Sequence, residues 1–170
     1  EFLKDMLERL GLSGATLGVD SNGYGRVYGS RGPRLSDLVP DARVVEVLDD
    51  IEYLQMINTD EEIALIRESA KWGNLAHTYL QEFCRVGVSE TEISLRASLE
   101  ATQAMLRTLG PSYRGGVGRT GAHAGFRGQI GKDSALPHAI STNVRLRPGD
   151  VLVTGADAAV WGYGSELERT

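Results

Sequence analysis

The residues from Leu136 to Thr170, LPHAISTNVRLRPGDVLVTGADAAVWGYGSELERT, hold the side chains whose types and spacing could do chemistry. A histidine, a Pro-Gly-Asp turn, an apolar strand, a Gly-Tyr corner and an acid ahead of an Arg-Thr pair look like half of an active site. Pro137 fixes the backbone before His138, and the small residues Ser134 and Ala135 leave room at its approach. An imidazole titrates near neutrality, so at pH 7 it can give a proton to a substrate's polar group or take one. An ordinary loop histidine is the equal alternative on position alone. If Val151–Asp157 and Tyr163–Thr170 pair antiparallel, positions eleven apart face each other, close enough to share one metal ion. Those positions hold Gly155 and Glu166.

Four other features compete for a role. His77 lies on an apolar helical stripe with no histidine or carboxylate one turn on to complete a chelate, so packing is the better account. His123, in the glycine-rich GAHAGF, suits a cleft or a surface equally. Cys84, the chain's single cysteine, cannot form an internal disulfide and reads as a buried small hydrophobe. Gly116 to Gly121 spells GxGxxG, but no helix-forming sequence follows it, so a nucleotide fingerprint is not expected.

The elements that must position these residues can be read from periodicity and caps. Residues 2–10 place Phe2, Leu3, Met6 and Leu10 on one helical face, with Gly11 as the stop. Ala15–Val19 reads as a buried strand, Ser21–Pro33 as a glycine-rich loop or hairpin, and Val44, Val45 and Val47 as another strand. Thr59 and Glu62 form a capping box opening a long helix to about Val86, with Ile63, Ile66, Ala70, Gly73, His77, Leu80 and Cys84 on its apolar stripe. Ser89 and Glu92 form a second box, and Ile93, Ala97, Ala101, Ala104 and Met105 mark a helix ending at Gly110. Tyr113–Gly131 reads as strand interrupted by loop, Val151–Val153 as a strand after the Pro148-Gly149-Asp150 turn, and Val160–Thr170 as its hairpin partner.

Hydrophobic residues make up 41% and charged residues 24% of the 170, the composition of a globular domain. No apolar run is long enough for a membrane span. The net charge of −5 without a concentrated basic face argues against a nucleic-acid partner. A lone cysteine makes a reducing cytoplasm the expected compartment. A start without methionine and a stop just after a strand-like segment are read as the ends of a piece of a longer chain.

The motifs together resemble the creatinase and Xaa-Pro peptidase family. MINTDEEIALIRESAKWGNLAH looks like the linker and first helix of its pita-bread domain, with Asn58 where a lysine is usual. Ala135-Leu136-Pro137-His138 is similar to the family's A-L-P-H, Arg147-Pro148-Gly149-Asp150 to its K-P-G-D, and Gly162-Tyr163 with Arg169-Thr170 to the G-Y and R-T of its second metal-binding segment. The resemblance implies an α+β fold, two long helices packed on an antiparallel sheet. Residues 58–170 would be the first half of the pita-bread domain, and 1–57 the end of a smaller α/β N-terminal domain. It also implies a divalent metal (Mn, Co or Zn) in the full-length parent, a peptide or small amide substrate, and a homodimer. Family peptidases carry aspartates at the positions of Gly155 and Glu166. Glycine offers no ligand atom, which leaves Glu166 as the expected ligand, with Asp157 two residues along the strand as a substitute, and His138 as the catalytic residue. Creatinases share the fold, hydrolyse a C–N bond without metal through a histidine that His138 matches, and also read Leu-Glu before Arg-Thr, as Leu167-Glu168 does. The function the resemblance implies first is an Xaa-Pro peptidase-like hydrolase acting on short peptides or peptide-like amides, with a metal-independent creatinase-like hydrolase and a non-catalytic binding module as the alternatives. The family's remaining histidine and two glutamate ligands would lie beyond Thr170, so the piece alone is expected to be inactive.

Overall fold

A computed structural model describes residues 2–23 and 33–170, so most of the expected glycine-rich loop at Ser21–Pro33 lies outside the described residues. The chain divides into two compact units, Glu1–Asn58 and Thr59–Thr170.

The first unit runs α1 (Phe2–Arg9), β1 (Thr16–Val19), α2 (Leu35–Leu38), β2 (Arg43–Glu46) and α3 (Leu48–Met56). Helix α1 ends where Gly11 turns left-handed at φ +69°, as its sequence predicts, but Leu7 is its buried residue while Phe2 and Leu10 stay exposed. Strands β1 and β2 pair in parallel from Thr16↔Arg43 to Val19↔Glu46. The expectation of a fully buried first strand is corrected: only Leu17 and Val19, on one side, are partly covered. Helix α3 is not predicted by the sequence, and no side chain caps its start at Val47.

The second unit holds α4 (Asp60–Phe83), α5 (Glu90–Leu109) and the antiparallel sheet β3 (Ala122–Gly125), β4 (Thr154–Val160) and β5 (Tyr163–Arg169), in that spatial order. The Thr59 box closes both ways: Glu62 N donates to Thr59 Oγ1 at 3.3 Å, and Thr59 N to Glu62 Oε2 at 2.7 Å. The Tyr163 hydroxyl donates to the other Glu62 oxygen at 2.7 Å, tying the helix start to the hairpin. Helix α4 stops at Phe83 rather than near Val86, because the following residues are drawn into backbone pairing with 144–146. Gly87 N donates to Leu146 O at 2.8 Å, and Leu146 N to Val88 O at 3.0 Å.

Both helices pack on one face of the sheet, where Ala122, Ala124, Ala156 and Ala158 keep the surface low enough for close approach. Helix α4 buries Ser69, Gly73, Ala76, His77 and Leu80 against it. Ala70, expected on the stripe, is exposed, and Ser69 takes its place by donating to Ala158 O at 2.7 Å. A Cβ on Gly73 would stand 3.2 Å from Ser165 Oγ, so the helix lies close to the sheet there. Helix α5 buries Ile93, Ala97, Ala101 and Met105. Its Ser98 and Thr102 hydroxyls accept from Ala124 N and Ala122 N, satisfying donors on the sheet's β3 edge.

Strand β4 begins at Thr154, three residues later than expected. Val151–Val153 instead follows the 129–131 segment, through an Ile130↔Leu152 bridge and a Val153 N to Gln129 O bond of 3.1 Å. GxGxxG leads into strand β3, without the helix N-terminus that a pyrophosphate needs. Among the described residues no helix is long and apolar enough to cross a membrane.

Candidate active site

The alternation of strand side chains puts the alanines on the helices and the polar residues on the other face. Two rows result: His123, Asp157 and Glu166 lie opposite one another across the three strands, and Gly125, Gly155 and Glu168 form the next row. The expected pairing of Gly155 with Glu166 is therefore corrected. The hairpin turns on just two residues, Trp161 and Gly162, both left-handed (φ +53° and +86°), a type I′ geometry that fixes the register. That register sets Asp157 directly against Glu166 and makes Gly155 its diagonal neighbour on the same face.

A residue that sequence reasoning missed stands over this face. Arg127 sends Nη2 to Glu166 Oε1 and Nη1 to Glu168 Oε1. Its Nε, Nη2 and Cζ occupy the space above Gly155, where an added Cβ would meet them at 3.0, 3.2 and 3.3 Å. Hydrogen bonding to Arg127, more than its through-space charge, holds the Glu166 carboxyl below the usual carboxylate range. The residues do not fit a divalent metal. Gly155 contributes no donor, both glutamates are engaged by a guanidinium, and among the described residues no three His, Cys, Asp or Glu converge to hold an ion.

His138 is exposed and left-handed (φ +51°), in the segment that packs against Arg127's neighbour. Gly128 lies so close to Ala139 and Ile140 that a Cβ would meet the Ala139 oxygen at 2.5 Å. The loop beyond His138 is fastened by a second missed residue, Glu90, which is buried at the start of α5. Its Oε1 accepts from Ser141 Oγ at 2.9 Å, Thr142 N at 3.0 Å and Val144 N at 3.3 Å. The second capping box is half formed: Glu92 N donates to Ser89 Oγ, and the return bond from Ser89 N to the Glu92 carboxylate is not made.

The other candidates find their places. His123 is exposed on the polar face and turned aside, its Nε2–H donating to Thr120 O at 2.8 Å. Cys84 is half-buried, and burial pushes its thiol up, away from thiolate chemistry. His77 is buried on the helix side, with Nε2 2.8 Å from Thr154 Oγ1. The Thr154 hydroxyl spends its hydrogen on Arg169 O at 3.2 Å, so it must accept from His77 Nε2–H. Burial first, and the Arg169 charge second, push the His77 pKa below its ordinary 6.5. The folded state thus resists protonation. The stability His77 allows is intact above the unfolded value of 6.5 and is lost as pH falls from there through the lowered folded value. Urea titrations from pH 7.5 to 5 should give a shallower pH dependence in His77→Gln; an unchanged slope would refute this assignment.

With this geometry in hand, residues 64–170 match the sequence profile of Metallopeptidase family M24. Creatinase of Bacillus sp. (strain B-0618) is 29% identical over 173 residues, covering 99% of this chain and 38% of that protein. The uncharacterized peptidase YqhT of Bacillus subtilis (strain 168) is 27% identical over 166 residues, covering 98% of this chain and 42% of its own length. An X-Pro aminopeptidase from Thermotoga maritima MSB8 superposes with a TM-score of 0.65 at 19% identity, over 99% of this chain and 42% of that one. Prolidase from Pyrococcus furiosus does so with 0.63 at 20%, over 95% and 43%. The likeness shows the fold: two long helices on an antiparallel sheet, as in part of a pita-bread domain. The chain spans about two-fifths of the length of the curated relatives it matches.

Proposed function

Because the chain belongs to the M24 metallopeptidase family, we propose that it supplies part of a hydrolase site that cleaves a C–N bond in a short peptide or peptide-like amide without a metal, through His138. The observation that carries this reading is Gly155. Where the resemblance puts a first metal-binding carboxylate, this chain has a buried glycine under a guanidinium. Amide hydrolysis then needs one group that can both take and return a proton. The neutral imidazole of His138 takes a proton from water as the water oxygen bonds to the carbonyl carbon. The imidazolium returns that proton to the nitrogen as the C–N bond breaks. The reading is supported by His138 being exposed in a left-handed bend, next to the Ala139 that closely approaches Gly128.

A metal-dependent Xaa-Pro peptidase is the second reading. The direct opposition of Asp157 and Glu166 favours it, since two carboxylates face each other there. The natural protein that carries this sequence, assayed on Xaa-Pro dipeptides and small amidino compounds, separates the two. Turnover should survive EDTA and fall by about 10²-fold or more in His138→Ala. Cleavage abolished by EDTA would select the metallopeptidase. Full activity in His138→Ala would overturn the histidine mechanism, and no turnover on any substrate would favour a binding module.

A further inference from the structure

We propose that Arg127 is a resident cation: its guanidinium fills the position over Gly155 that a divalent ion would need, and it makes this face of the sheet unable to take up metal. Three independent observations support this. The first is steric, because the guanidinium lies 3.0–3.3 Å from where a Cβ at position 155 would stand, leaving little room for a longer side chain. The second is electrostatic. Glu166 and Glu168 are side by side on β5's exposed face, and one planar fork answers both, with Nη2 on one and Nη1 on the other.

The third observation is conformational. Gln129 N donates to Phe126 O at 2.8 Å, closing a turn whose central residues, Arg127 and Gly128, are both left-handed (φ +51° and +67°). Glycine, asparagine or aspartate normally fills the first central position of such a type I′ turn. Arginine there is strained, and the strain persists because both flanks are fixed: Phe126 is buried in the core, and Gly128 is wedged against Ala139 and Ile140. The turn therefore aims one side chain at the two glutamates at a local conformational cost.

The guanidinium is part of the chain, so this cation does not leave with chelator. Arg119 reinforces it, with Nη1 near Gly164 on the same hairpin. The idea concerns binding alone and is measured without turnover, so it stands or falls separately from the hydrolase reading.

The test is titration of the natural protein that carries this sequence with Mn(II) alone, free ion followed by its EPR signal, alongside thermal melts with and without the ion. The wild type should show neither Mn(II) uptake nor a rise in Tm. The double variant Gly155→Asp/Arg127→Ala, which restores a carboxylate and removes the guanidinium, should bind Mn(II) at least about tenfold more tightly and melt higher in its presence. If circular dichroism shows that this variant does not fold, Arg127→Met alone carries the same expectation. Tight stoichiometric Mn(II) binding by the wild type would overturn the proposal. So would a folded variant whose affinity for Mn(II) equals that of the wild type.

Discussion

Gly128→Ala should destabilise the Thr59–Thr170 unit by about 3 kcal/mol, the sum of a left-handed alanine and a clash that backbone cannot relieve. At φ +67° the added Cβ would stand 2.5 Å from the Ala139 oxygen and 2.6 Å from both Ile140 C and O. A flexible side chain could step aside, whereas here the 139–140 backbone would have to shift. That shift would carry the neighbouring His138 segment away from Arg127. Urea unfolding gives the stability change, and hydrogen exchange at 139–146 shows whether the loop has come loose. A loss under about 1 kcal/mol would mean that the close approach is not a constraint.

Glu90→Ala is the other large expected effect, again about 3 kcal/mol. The substitution removes a buried acceptor and leaves the N–H groups of Thr142 and Val144 without it. Glu90→Gln keeps an amide oxygen in the same place and should recover most of the loss. Ser141→Ala removes only a side-chain donor and should cost less than either. Equal losses in the alanine and glutamine variants would show that the negative charge, rather than the geometry of Oε1, holds the loop.

What the sequence revealed and what it concealed divide by distance along the chain. The Thr59–Glu62 box is legible because both partners are local and their chemistry is reciprocal. Both long helices and the hairpin are legible from periodicity and from Gly162 for the same reason. Glu90 is not, since it precedes its partners Ser141 and Thr142 by 51 and 52 residues. Arg127 is hidden in the same way, 39 residues before Glu166 and inside a glycine-rich run that suggests only loop. The resemblance sets Gly155 where family peptidases carry an aspartate, but that Arg127 lies over it depends on tertiary packing. The one sequence signal for Arg127 was available: a bulky residue directly before Gly128, between a buried phenylalanine and a turn. The helix stripe slipped from Ala70 to Ser69 because a buried hydroxyl satisfied by Ala158 O packs as well as a methyl, a substitution that hydrophobic patterning does not register.

The two-residue turn at Trp161–Gly162 also limits how this surface can evolve. Because alternate residues of β5 face opposite sides, one residue inserted into the turn would swing Glu166 and Glu168 onto the alanine-lined side beneath the helices and bring Leu167 out to solvent. Two uncompensated carboxylates in that layer would strongly destabilise the unit. A substitution at constant length leaves this register, and with it the facing of Glu166 and Glu168, unchanged. The two-residue turn therefore fixes which strand positions face Arg127, and Gly155, Glu166 and Glu168 are the ones it presents.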